Sequence, residues 1–273
     1  MESRLSNCRF VKIRGHRMAY RVCGPEAGPA VMLIHAFASQ SATWRNIAPA
    51  LARSGFRVVA PDLRGHGRSA RTACYALAEF DQDLIALLDA LELEKVSLAG
   101  HSLGGHLALR LAAHRPERVE QMVIEAAPVP PRDAEDAAAI AAARPGSAGK
   151  HALQRLGVGR LLRLVLLRQF DVRSARSVLA ELKAPMPGWW QRVATLPHPC
   201  LLMASHDDGL VSARLSLLAN ALPNATVLRL GSGHHLHGEH RETFLAAMLS
   251  FFRKNTDASP ATFPEPSPGL YPA

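Results

Sequence analysis

Aromatic residues are scarce in this 273-residue sequence, at 5%, and that scarcity argues against a surface that stacks nucleobases. The four cysteines, Cys8, Cys23, Cys74 and Cys200, lie far apart and include no C-x-x-C pair. They exclude a disulfide framework and a cysteine-based zinc site, and they read as ordinary buried or half-buried thiols. No uninterrupted apolar run approaches ~18 residues, so no stable membrane insertion is expected. The stretch from Met1 to Val11 alternates polar and apolar residues and lacks the apolar centre of a signal peptide, which makes the cytoplasm the expected location. Acidic residues are outnumbered, with 23 Asp+Glu against 32 Lys+Arg and a net charge of +9. The excess is mostly arginine, spread along the chain rather than gathered into a stripe. It describes a solvated basic surface and no nucleic-acid footprint.

What the chain does contain is apolar side chain, 48% of residues against 20% charged. That balance excludes a disordered chain, a coiled coil and a collagen-like fibre. A chain of this length can bury its core without staples, as one large α/β domain with an insertion. Apolar runs alternate with helical patterns, which argues for a mostly parallel β-sheet flanked by helices. Arg9 to Ile13 and Met18 to Val22 read as an opening hairpin joined at Gly15-His16. Ala30 to Ile34, Arg57 to Ala60, Val96 to Ala99, Val119 to Ile124, Cys200 to Ala204 and Thr226 to Leu230 read as buried strands. The clearest helix carries Leu77, Phe80, Leu84, Leu87, Leu88 and Leu91 on one face.

The alternation stops at Pro128 and resumes near residue 195. Residues 1–127 are therefore expected to form the first part of the core and 195–254 the second part. Between them, 128–194 reads as a helical lid inserted after the sixth strand. The segment from Arg155 to Arg168 within it is basic and amphipathic. A membrane-surface helix has this look, but a packed lid helix with its arginines in water explains it as well and is preferred. Residues 255–273 are proline-rich and expected to be a disordered tail.

The most informative stretch is Gly100-His101-Ser102-Leu103-Gly104, a G-x-S-x-G placed after an apolar run and before a helical pattern. A strand that turns sharply into a helix pushes the serine hydroxyl outward, and the glycines remove side chains that would collide there. The helix N-terminus adds N–H donors where an oxyanion would form. A serine hydroxyl needs a base, and the base needs an orienting acid. Ser205-His206-Asp207-Asp208-Gly209-Leu210-Val211 and Gly233-His234-His235-Leu236-His237 each follow a strand, the edge where α/β sheets place their sites.

Together these residues resemble the α/β-hydrolase superfamily, in its single-lid, serine esterase-like form, over residues 9 to 254. His35-Ala36-Phe37 is similar to the family's oxyanion loop. Asp62-Leu63-Arg64-Gly65-His66-Gly67-Arg68-Ser69 is similar to its D-x-R-G-x-G-x-S loop, and Gly233 to His237 to its G-H-x-x-H segment. The resemblance implies Ser102 as nucleophile, His234 as general base and Asp208 as orienting acid, with the N–H groups of Phe37 and Leu103 as oxyanion donors. Ala36 and Ser205 stand where the family usually has glycine. Asp207 and Glu125 are alternative acids, otherwise a surface carboxylate and a pocket-rim residue.

His35, His101, Leu161, Leu164, Trp190 and His235 are candidates for the substrate pocket. His66 and His106 read as structural or pocket-lining, and Trp189 and Trp190 as anchors for the insertion. The histidines around His234 match neither H-E-x-x-H nor H-x-x-E-H, so no metal site is expected, and no cofactor. The expected activity is hydrolysis of a small-molecule carboxylic ester, thioester or lactone through an acyl-enzyme. Acyl transfer and cofactor-free C–C hydrolysis on the same residues are alternatives. A catalytically silent binding module is the alternative of another class.

Overall fold

A computed structural model describes residues 5, 7–143, 169–207 and 209–255. Eight strands form one sheet in the order β1-β2-β4-β3-β5-β6-β7-β8. They are β1 (Arg9–Ile13), β2 (His16–Cys23), β3 (Ala30–Ile34), β4 (Arg57–Pro61), β5 (Val96–His101), β6 (Val119–Glu125), β7 (Cys200–Ala204) and β8 (Ala225–Arg229). β2 pairs antiparallel with both β1 and β4, and every later pairing is parallel. The helices are α1 (Ala48–Arg53), α2 (Leu77–Ala90), α3 (Leu103–His114), α4 (Ala134–Ala142), α5 (Arg173–Lys183), α6 (Pro187–Val193), α7 (Gly209–Ala221), α8 (Leu236–Glu239) and α9 (Arg241–Asn255).

The inner strands β3 to β7 are mostly apolar because the sheet is covered on both sides there. In β3 the period of two separates the layers. Met32 and Ile34 pack with Leu84, Leu88 and Leu107 of α2 and α3, while Val31 and Leu33 pack with Trp44, Leu51, Phe244 and Phe252. The expected apolar face of α2 is realised, with Leu77, Phe80, Leu84, Leu87 and Leu88 fully buried. The Asp62–Ser69 loop is braced from within. Asp62 accepts the N–H groups of Ser41 at 2.7 Å and Arg68 at 2.8 Å through its two carboxylate oxygens.

Several boundaries differ from the sequence reading. The hairpin turns at Arg14 and Gly15, both with positive φ (45° and 81°), so His16 already belongs to β2. β8 ends at Arg229, and its half-exposed edge position weakens the apolar signal that suggested Leu230. β5 and β6 each run past their last aliphatic residue, to His101 and Glu125, which pair in register. Among the cysteines, Cys74 is exposed, contrary to expectation.

Within 128–194 the described residues form α4, α5 and α6, with an isolated bridge between His66 and Phe170. Trp189 is buried and stacks on His106 of α3, which fits its reading as an anchor. Gly67 N–H donates to the Gln169 carbonyl and Asp171 N–H to that of Gly65, both at 2.8 Å. Tyr75 donates its hydroxyl to Asp171 at 2.6 Å. Leu161, Leu164, the basic stretch 155–168 and the proline-rich tail lie outside the described residues. No helix among the described residues is long and apolar enough to cross a membrane.

His35, His66 and His106 are among the buried histidines of this framework. Burial lowers the imidazole of His35 to about 4 and those of His66 and His106 to about 3. Each folded-state value lies below the ordinary histidine range, so the unfolded chain takes up protons that the folded chain refuses. Stability should therefore fall as pH drops from about 6.5 toward 4, by up to about 1.4 kcal/mol per pH unit for each histidine. Urea midpoints measured at pH 7.5, 6 and 5 should show this decline, and His106→Phe should flatten it. A midpoint independent of pH across that window would contradict the assignment.

Candidate active site

Ser102 sits between the end of β5 and the start of α3 with φ 51° and ψ −115°. Such a backbone is strained for a residue with a side chain, at a cost of order 1–3 kcal/mol, and persists only where its surroundings impose it. The Ser102 N–H donates to the Glu125 carbonyl at 2.8 Å, and the Ser102 carbonyl accepts the His106 N–H at 3.1 Å. Glycine supplies the remaining room. A Cβ at Gly100 would lie 2.3 Å from the Gly104 carbonyl oxygen, and one at Gly104 would lie 2.2 Å from that of Ile34. That last contact presses the start of α3 against the end of β3, which leads into the His35–Phe37 loop expected to hold the oxyanion.

The loop itself is held by His35, which is fully buried. Its Nδ1 is 2.7 Å from the Ala36 carbonyl, and its Nε2 accepts the Leu63 N–H at 3.0 Å. His35 thus fixes the loop from inside, a different position from the expected pocket wall. The left-handed residue here is Ala38, at φ 52°, and not Ala36, so the alanine that replaces glycine carries its Cβ without that strain. Phe37 is half-buried, its ring packed edge-on against Phe170 at 4.9 Å and against His66 at 5.7 Å.

His234 approaches the elbow through the residue beside the serine. His101 Nε2 donates to the His234 carbonyl at 2.8 Å, and the two rings are 5.1 Å apart. Asp207 is exposed, and its Oδ1 accepts the Gly233 N–H at 2.9 Å, holding the backbone just before His234. Asp208 lies outside the described residues. Ser205, at the opening of the acid loop, is fully buried, and its carbonyl accepts the Ser212 hydroxyl at 2.9 Å.

The sequence reading missed a buried pair beneath these groups. Glu125 was expected at a pocket rim or as an acid for His234, yet it is 1% exposed and engages His237. His237 donates its N–H to Glu125 Oε1 at 3.0 Å, and its Nδ1 lies 2.6 Å from Oε2. Burial pushes the Glu125 carboxyl up and the His237 imidazole down to about 3. Burial thus disfavours the charged form of each partner, and the short contact holds one proton between Oε2 and Nδ1. Trp44 stacks on the His237 ring at 4.0 Å. The signal for this pair was an acidic residue directly after the apolar run Met122-Val123-Ile124.

Of the expected pocket residues, His101 is buried at the elbow and His235 is half-buried near Thr43. Trp190 is half-buried and donates Nε1–H to the Pro130 carbonyl at 3.1 Å. A cavity of about 300 Å³ opens between α4, α5 and α7, lined by residues such as Val129, Ile140, Leu182 and Arg214. Neither Ser102 nor His234 lines it.

Comparison with known proteins gives a consistent picture. The family model for the alpha/beta hydrolase fold matches residues 29–194. The 2-hydroxymuconate semialdehyde hydrolase of Pseudomonas sp. (strain CF600) is 30% identical over 269 residues, covering 85% of this chain and 89% of the relative. An uncharacterized protein of Mycobacterium tuberculosis is 39% identical over 119 residues, 43% of this chain. The chain matches only 34% of that relative's length. A solved structure of a hydrolase from Pseudomonas aeruginosa PA01 is 27% identical with a TM-score of 0.73, covering 90% of this chain and 98% of the other.

The elbow's glycine requirement is directly testable. Gly104→Ala should lower stability by about 1–3 kcal/mol, because the added methyl meets backbone at Ile34 and not a movable side chain. Gly188→Ala, in α6, meets nothing nearer than the Arg192 guanidinium at 3.8 Å and should be neutral or stabilising. Denaturant unfolding of both variants makes the comparison, and equal effects would contradict the close packing.

Proposed function

We infer that this chain, which belongs to the α/β-hydrolase fold family, is a serine hydrolase that cleaves small acyl compounds through a covalent acyl-enzyme. The observation that carries the reading is the left-handed backbone of Ser102 at a strand-to-helix turn, with the His234 loop docked on the adjacent His101. In this reading Ser102 Oγ attacks the acyl carbonyl while His234 takes its proton. The oxyanion is held by the N–H groups of Phe37 and Leu103. His234 then protonates the leaving group, which departs. A water deprotonated by His234 attacks the acyl-enzyme, releasing the acid and restoring Ser102. Asp208 orients His234 and stabilises its charged form.

A carboxylic ester is the substrate class favoured here, with thioesters and lactones next. The same residues support C–C hydrolysis, in which the leaving group is a carbanion that His234 protonates. The full-length relative named as a 2-hydroxymuconate semialdehyde hydrolase favours keeping this second reading. The helices of 128–194 are proposed as a lid that selects the acyl group.

A fluorophosphonate probe should label Ser102, and Ser102→Ala should abolish both labelling and turnover of a graded ester series. Asp208→Asn should cut kcat by roughly 10³–10⁴-fold, and Asp207→Asn should do far less. Labelling that survives Ser102→Ala would overturn the nucleophile. A larger loss at Asp207 than at Asp208 would move the acid.

A further inference from the structure

We propose that His101, His235 and His237 form a binding site for one zinc-class metal ion, clamping the loop that carries His234 to the elbow. Each of these residues offers a ligand atom, and the three atoms all lie within 4.8 Å of one another. His235 Nε2 and His237 Nε2 face each other at 2.8 Å, and Thr43 Oγ1 lies 3.2 Å and 3.0 Å from them. The site is buried or half-buried at every ligand, in a region where a flexible surface cluster is not an alternative description.

Two hydrogen bonds prepare the rings for a metal. Glu125 sits on His237 Nδ1 at 2.6 Å, so the proton there belongs to the carboxylate contact and the lone pair of Nε2 points at His235. A carboxylate behind a histidine in this way fixes the tautomer and orientation of a metal ligand. His101 Nε2 donates to the His234 carbonyl, which leaves its Nδ1 with the lone pair. Trp44, fully buried and stacked on His237, holds that ring in place. Without a metal, His235 Nε2 must carry a proton to hydrogen-bond its partner. Binding displaces that proton, so the ion enters and one proton leaves with no change in oxidation state.

Three neutral imidazoles favour zinc, nickel, cobalt or copper over magnesium or calcium, which take oxygen donors. The fourth position remains for water beside the Thr43 hydroxyl. No linear motif announces this set, because one ligand ends β5 and the other two lie just before and within α8. Their convergence is a consequence of the same docking that sets the His234 carbonyl on His101.

The test is calorimetric titration of the untagged, chelator-stripped full chain with zinc chloride at pH 7.5, in two buffers of different ionisation enthalpy. One saturable ion per chain is expected, in the micromolar range or tighter, with net proton release. His235→Phe replaces a half-buried ring by another ring and should weaken binding ten-fold or more while circular dichroism stays unchanged. His206→Gln, at an exposed position outside the set, should bind as the parent does. Absence of saturable binding below about 100 µM, or affinity untouched by His235→Phe, would overturn the site. The three rings would then be a hydrogen-bonded cluster only.

Discussion

The backbone of Ser102 is the constraint on which the rest of this structure turns. A serine at φ 51° does not hold itself there; the sheet around it must. β5 lies in the middle of the sheet, paired in parallel with β3 on one side and β6 on the other. Both flanking strands contribute a carbonyl to the turn. Glu125 at the end of β6 accepts the Ser102 N–H, and Ile34 at the end of β3 is approached so closely that position 104 has no room for a methyl group. Buried aliphatic strands thus supply the free energy that a locally unfavourable turn consumes, an exchange common where function needs a strained residue.

Glu125 links this turn to the layer below. Its main chain holds the elbow and its carboxyl holds His237, so one residue orders two loops that are far apart in sequence. An ionised carboxylate buried to this depth would be costly. The contacts from the His237 main chain and ring offset part of that cost. Removing either partner would leave the other a buried polar group without its hydrogen bond, which typically costs about 1–3 kcal/mol.

The fold was legible in the sequence because its signals are local and redundant. AVMLI in β3 and CLLMA in β7 are uniformly apolar, as strands covered on both faces must be, and each begins and ends where the sequence suggests. The elbow was legible because its glycines are forced by contacts within a few residues or at the next strand end. Strand ends were less legible: His101 and Glu125 are polar and look like loop, yet the ladder between β5 and β6 continues through them. The role of His35 was misjudged for a related reason. A histidine after a strand looks like a pocket residue, and only the approach of the Leu63 N–H shows that its second nitrogen is engaged. The Glu125–His237 pair depends on two loops meeting at the end of the sheet, and no spacing rule encodes that meeting.

The contacts of Phe37 bear on how residues after β6 could influence the proposed site. Its N–H belongs to the loop expected to hold the oxyanion, while its ring packs on His66 and on Phe170. Phe170 in turn is tied through the 169–171 backbone to Gly65 and Gly67, and Asp171 accepts from Tyr75. The 169–171 segment therefore packs on Phe37, the residue whose amide the proposed mechanism aims at the reacting carbonyl. A change in the packing of Phe170 would be felt at Phe37 before it reached Ser102, since the serine is fixed independently by β6 and α3. On the proposed reading, this separation would let sequence vary in 128–194, and with it the fit of an acyl group, while the strained turn at Ser102 keeps its geometry.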